Sequence, residues 1–106
     1  LLKNKDDCAL GMLAFQSIPP ELEILRLGVH PNWRKQGLAE FLLTHLEIYA
    51  KTEKIAAIWL EVHKDNKSAI SLYRKLNYKE IGSRNNYFWN PPGDALLLKK
   101  LLKHDA

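Results

Sequence analysis

The sequence predicts one α/β domain, a mixed β-sheet of α+β character with two helices laid on it. Three observations predict it. Hydrophobic periodicity switches between two and about 3.6 residues in the order β-β-β-α-β-α-β-β. One helix joins two apolar strands, and such a crossover requires those strands to run parallel. The chain has 106 residues, enough for one core and no more.

The elements follow in order. Residues 1–3 read as the tail of a strand, and Asn4, Asp6 and Asp7 as a turn. "CALGMLAFQS" (8–17) reads as a strand, with Gly11 marking a bulge or a close backbone approach. Pro19 and Pro20 make the next turn, because proline cannot donate within a central strand. In "LEILRLGVH" (22–30), Leu25, Leu27 and Val29 alternate with Ile24, Arg26 and Gly28, giving one apolar face and one mixed face. A helix follows from about Gln36 to Lys51. Its stripe is Leu38, Leu42, Leu46 and Tyr49, with Ala39, Leu43 and Ala50 beside it. "IAAIWLEV" (55–62) fits a strand buried on both faces. "KDNKSAISLYRKLN" (64–77) is a helix with Ala69, Leu72, Tyr73 and Leu76 on one stripe, Asn66 or Asp65 as N-cap and Asn77 as the stop. "YKEIGS" reads as a strand and "NPPGD" as a turn. "ALLLKKLL" reads as a closing strand, because a short domain needs its sheet completed.

Composition narrows the function classes. The chain is 46% hydrophobic, which supports a packed core and argues against disorder. A formal charge of +4 suits an anionic ligand, but the basic residues are scattered among acids, so direct nucleic-acid binding is not expected. The lone cysteine, Cys8, excludes an internal disulfide and zinc-finger spacing and fits a reducing, cytoplasmic setting. The four histidines, His30, His45, His63 and His104, show no metal-ligand pattern, and no membrane-length apolar run or signal peptide is visible. The first residue is Leu1 rather than Met, so a trimmed chain or a fragment is expected.

The residues with chemical potential are few. "HPNWRKQGLAEFLLTHL" (30–46) carries a strand through a basic turn into a helix start. Arg34, Lys35 and Gln36 precede Gly37, which can take a positive φ or bring backbone close to a ligand. The unpaired N–H groups of a helix start favour an anion such as phosphate. The bland alternative is a turn that merely needs glycine to close. Glu61 lies inside an apolar strand, where a carboxylate needs a partner or water and makes a usable general base; the alternative is a strand-end residue turned to solvent. Tyr73 faces the sheet, as a core residue or as a proton donor, and Asn66 is a helix cap or a ligand contact. Tyr87, Phe88 and Trp89 form an aromatic cluster, either one wall of a groove or the packing of a long loop.

Together these pieces are more specific than any one of them. "LGVHP", then "RKQGLA", which fits [Q/R]-x-x-G-x-[G/A] through Arg34, Gly37 and Ala39, then "WLEV" and "NKSAISLYRKLNY" make the chain resemble the GNAT N-acetyltransferase family, from about Gly11 to Leu98. "LEV", the Asn66 helix start, Tyr73 and the later "RNNYF" with "DAL" are similar to the RimI-like, ribosomal-protein-alanine branch. The resemblance implies a GNAT-like acyl-CoA N-acyltransferase fold over residues 1–106, truncated at its N-terminus, since family members usually begin with a further strand and two helices that help form the acceptor groove. It implies acetyl-CoA as co-substrate and no metal. Arg34, Lys35, Gln36, Gly37, Leu38, Ala39 and Glu40 match the pyrophosphate cradle. Leu27, Gly28 and Val29 match the strand that pairs with the pantetheine arm, and Asn66 matches a cofactor-contacting Asn. Glu61 matches the general base and Tyr73 the general acid. Glu40 departs from the family by placing an acid near a phosphate, and Asn77-Tyr78 replaces the usual Gly-Phe. The implied reaction is acetyl transfer to a protein N-terminal α-amine, a ribosomal protein being the implied partner. Acetylation of a small-molecule amine and a non-catalytic CoA-binding remnant are the competing readings. Retention of both Glu61 and Tyr73 argues against the remnant, because a pure binder needs neither.

Overall fold

The computed structural model describes residues 2–3, 9–31 and 37–103. Among these the chain forms β1 (Leu2–Lys3), β2 (Ala9–Ile18), β3 (Glu21–Val29), α1 (Leu38–Thr52), β4 (Ala57–His63), α2 (Lys67–Lys75), β5 (Lys79–Trp89) and β6 (Pro92–Leu101). The strands make one sheet in the order β1-β2-β3-β4-β6-β5. β3 and β4 run parallel, as the α1 crossover requires, and the other neighbours are antiparallel.

Both helices lie on one face of this sheet. Ile58, Leu60 and Val62 of β4 join Leu43, Leu46 and Ala50 of α1 and Ile70 and Tyr73 of α2 in a single buried cluster. Burying a side chain such as Leu22, Ile58 or Leu98 completely contributes roughly 1.5–3 kcal/mol. Trp59, Glu61 and His63 alternate onto the opposite face and are only partly buried. β4 is thus fully covered on one face rather than both, because no described helix packs on the other.

The stripe of α1 is rotated from the expected one. Leu43, Leu46 and Ala50 are its buried residues, while Tyr49 is 42% exposed and sits at the edge against the ring of Phe15, 5.4 Å between centroids. The expected start at Gln36 lies outside the described residues. α2 begins and ends as expected. Asn66 Oδ1 accepts the Ala69 N–H at 3.3 Å, and Asn77 takes a left-handed φ of 73°.

β3 departs from simple alternation. Phe15 faces Ile24 and Ala14 faces Arg26, so Leu25 is the extra residue of a β-bulge. The bulge slips the alternation by one residue. Leu22 and Ile24 are buried before it and Leu27 packs on the same core after it, while Leu25 is 55% exposed. The expected grouping of Leu25 with Leu27 therefore fails, and Ile24 belongs to the core. Parallel pairing with β4 runs from Glu21–Ala57 to Ile24–Leu60 and stops there, just before the bulge. Beyond that point the two strands part.

Gly11 borders a register shift, since Leu2 faces Gly11 while Lys3 faces Ala9, and it is also a close approach. A Cβ there would lie 3.1 Å from the Gly28 carbonyl oxygen and 3.2 Å from Leu42 Cδ1. The segment around Tyr87 is also not a long loop. β5 continues to Trp89, pairing Phe88 with Gly93 and Trp89 with Pro92, and the turn shrinks to Asn90 and Pro91. The pairing is irregular between Arg84 and Phe88, and there the Asp94 carboxylate accepts the Asn86 N–H at 2.9 Å.

Candidate active site

The parting of β3 and β4 opens a cavity of about 310 Å³ between them. Leu25, Arg26 and Leu27 form one wall, Glu61, Val62 and His63 the other, and Tyr73 of α2 closes the helix side. Glu61 and Tyr73 reach this cavity from opposite faces of the sheet. Leu60 and Val62 point to the helices, so Glu61 between them points away, whereas Tyr73 rises from α2 beneath.

Tyr73 is 4% exposed, and its ring meets Tyr78 edge-on at 5.2 Å. Burial pushes its phenol up from 10.0 to about 12, so it keeps its proton through the neutral range. Glu61 is 11% exposed at its side chain. Its Oε1 lies 3.3 Å from Arg84 Nε, while Oε2 is buried without a hydrogen-bond partner. A buried carboxylate oxygen with no donor is a costly arrangement, and it leaves Oε2 with acceptor capacity to spare. Arg84 sits on β5 and reaches Glu61 on β4 across the intervening β6. The same guanidinium lies 5.6 Å from the Tyr87 ring centroid. Hydrogen bonding to Glu61, then its charge, holds the Tyr87 phenol above its ordinary value, against the pull of Arg84.

His63 is fixed beside this group. Its Nδ1 accepts the Asp65 N–H at 3.1 Å, which leaves Nε2 as the N–H that donates to the Pro92 carbonyl at 3.2 Å. Its ring stacks on Phe88 with centroids 5.2 Å apart. His63 therefore anchors the β5–β6 hairpin to the end of β4.

A second cavity, about 630 Å³, adjoins the first. The two share Leu27, Asn66 and Ala69, so they form one continuous groove. Gly37, Leu38, Ala39 and Glu40 line one end of the second cavity, and Gly28 and Val29 the strand side. Gly37 has φ 75° and ψ 9° and caps α1 with no side-chain hydrogen bond, so the first-turn N–H groups keep their capacity for an acceptor. Glu40 turns to Lys75 of α2 at 3.0 Å, which neutralises the one acid at this helix start. The backbone bond from His30 N–H to the Leu10 carbonyl sets the alternation of the β2–β3 ladder. By that alternation Leu27 turns its N–H and C=O away from β2, toward the groove.

Every expected site residue within the described part lines this groove: Leu27, Gly28, Val29, Gly37, Leu38, Ala39, Glu40 and Asn66 around the larger cavity, Glu61 and Tyr73 around the smaller. Arg34, Lys35 and Gln36 lie outside the described residues. Asn66 has a structural duty as well, since its Oδ1 also accepts from Ser68 Oγ at 3.3 Å. Phe88 lines the smaller cavity, in keeping with the groove-wall reading of the Tyr87, Phe88 and Trp89 cluster, whereas Arg84 had no signal beyond its place in "RNNYF". Among the described residues no group of three or more His, Cys, Asp or Glu is placed to hold a metal ion, and no helix is long and apolar enough to cross a membrane.

Comparison with known proteins bears on the groove. The model of the acetyltransferase (GNAT) family matches residues 1–78. The [ribosomal protein bS18]-alanine N-acetyltransferase of Salmonella typhimurium is 32% identical over 95 residues, covering 88% of this chain and 64% of that protein. The chain thus spans less than two thirds of that relative's length. The crystal structure of the ribosomal-protein-S18-alanine N-acetyltransferase from Escherichia coli superposes with a TM-score of 0.88 at 27% identity, over 98% of this chain and 68% of that one. A GNAT family acetyltransferase from Elizabethkingia anophelis, crystallised with acetyl-CoA bound, has the same fold with a TM-score of 0.85 at 18% identity, covering 93% and 72% of the two chains.

Proposed function

The chain belongs to the GNAT acetyltransferase family, and from that premise we propose that it moves an acetyl group from acetyl-CoA to the α-amine of a protein N-terminus, an alanine of a ribosomal protein being the preferred acceptor. The observation that carries the proposal is the continuity of the groove. The uncapped α1 start and the Glu61–Tyr73 pair are two ends of one channel, joined through Leu27, Asn66 and Ala69.

Each residue then has a task. The N–H groups of Leu38, Ala39 and Glu40 after Gly37, with Arg34, Lys35 and Gln36 before it, hold pyrophosphate oxygens. Gly28, Val29 and the outward-turned backbone of Leu27 receive the extended arm of the co-substrate as a further strand would be received. Acetyl-CoA supplies the activated thioester. Glu61 takes the proton that the attacking amine must lose, at Oε2, while Arg84 holds the other oxygen. Tyr73, protonated at neutral pH, gives a proton to the departing thiolate. Asn66 fixes the α2 start at the junction of the two cavities.

The test is release of free thiol from acetyl-CoA with an alanine-starting peptide, for the wild-type protein, Glu61→Gln and Tyr73→Phe. Each variant should lose about 10²-fold or more in kcat while retaining coenzyme A binding. Turnover unchanged in both variants would refute the assignment. Turnover with small amines but not with the peptide would move the acceptor to the small-molecule class.

A further inference from the structure

We propose that a second cavity, at the end of the sheet opposite the groove, binds a small polyphosphate anion. It lies where α1 ends, β5 begins and β6 ends, and it measures about 750 Å³, within the range of small-molecule sites. Lys51, Lys79, Lys99, Lys100 and Lys103 line it, with Glu47 as the only acid among the described residues. Five lysines and one glutamate carry a formal +4, as large as the net charge of the whole chain. Lys99 is answered by Glu21 from outside the lining, and a net positive charge remains in this concavity, where low-dielectric walls focus it.

Internal ion pairs account for three of these lysines and leave two. Glu47 binds Lys100 at 2.8 Å and lies 3.4 Å from Lys51. Burial works against its ionised form, but the two lysines outweigh burial and lower its pKa, so it remains a carboxylate. Lys99 pairs with Glu21 at the cavity margin. Lys79 and Lys103 have no ion-pair partner among the described residues. Helix capping does not explain the cluster either. The last carbonyls of α1 are taken by Thr52 Oγ1 and by the N–H groups of Glu53, Lys54 and Ile55. Lys79 and Lys103 thus bring positive charge to the cavity that no described carboxylate answers.

The walls narrow the class of ligand. Ile81 and Leu101 are 58% and 74% exposed and supply aliphatic surface between the charges. Among the described residues no aromatic side chain lines the cavity, so these residues offer no stacking platform of the kind that single-stranded nucleic acid uses. A compact anion bearing several phosphates, free or as part of a nucleotide, satisfies both the charge and the size. None of these residues lines the groove, so the site is separate from the one proposed for acetyl transfer.

The experiment is a proton–nitrogen NMR titration of the protein with inorganic triphosphate at constant ionic strength, with coenzyme A present to fill the α1 start. Saturable shifts confined to residues 47–51, 77–81 and 99–103 are expected, and they should weaken at least about tenfold in the Lys79→Gln/Lys103→Gln double variant, with resonances elsewhere unchanged. A nucleotide triphosphate that binds tighter than inorganic triphosphate at the same residues would identify the nucleotide as the source of the phosphates. Shifts that fail to saturate, or that persist in the double variant, would overturn the proposal. So would a short RNA duplex that binds these residues more tightly than any small polyphosphate.

Discussion

Gly93→Ala tests how the C-terminal end of β4 is braced. Gly93 has an ordinary negative φ, so the substitution brings no backbone strain. Its Cβ would stand 2.4 Å from His63 Cε1 and 2.5 Å from Nε2, about 1 Å inside contact distance. The imidazole must swing aside. It then loses its hydrogen bonds with Asp65 and Pro92 and its stack on Phe88. At about 1 kcal/mol for each partly exposed contact, and with incomplete additivity, the cost is about 2–3 kcal/mol. With a urea m-value of about 1.5 kcal/mol/M, the unfolding midpoint falls by roughly 1–2 M. A double-mutant cycle supplies the decisive comparison. In a His63→Ala background the obstacle is gone, and Gly93→Ala should be neutral to within about 0.5 kcal/mol. An equal loss in both backgrounds would show that the ring is not what the methyl group meets, and the bracing argument would fail.

Further expectations concern charge and backbone. Glu61→Gln should lower the titration of the Tyr87 phenol, because Glu61 is the chief cause of its rise; Arg84→Met should raise it further, and carbon-13 shifts of the Tyr87 ring read both. Tyr73 has a folded pKa of about 12 against 10.0 unfolded. The stability linked to it is complete below pH 10 and drains away as pH climbs to 12, so Tyr73→Phe should flatten the alkaline fall in unfolding free energy. Glu47 has the reverse sign. Its lowered pKa contributes stability above 4.5 that is lost as pH falls through the folded value, and acid unfolding of Glu47→Gln should show a correspondingly shallower slope. Gly37→Ala meets no atom within 4 Å, so the cost of about 1 kcal/mol in thermal unfolding comes from the positive φ alone.

The order of elements was legible because each has a strong local signal. The Asn66 cap, the left-handed Asn77 and the apolar run of β4 are written in adjacent residues. Leu25 was not legible. A bulge is decided by the partner strand, and the sequence around it keeps a convincing alternation that the fold interrupts. The α1 stripe was misplaced by one residue for a similar reason: both Leu42 and Leu43 fit a helical period, and only the sheet beneath selects Leu43. Glu61 and Tyr73 stood out as a carboxylate in an apolar strand and a tyrosine on a core stripe. Arg84 did not, because its pairing with Glu61 crosses a strand that enters the sheet last in sequence. The five-lysine cavity gathers residues from three elements and has no contiguous signature.

The approach of Glu61 and Tyr73 from opposite faces has a consequence for the traffic of protons. Under the proposed assignment, the proton taken from the amine would leave by the open face of the sheet, where Arg84 lies, and the proton given to sulfur would come from the helix-covered face. Both residues line the one cavity where β3 and β4 part, so under that assignment the two proton routes meet there, and the seam is a crossing point rather than a wall.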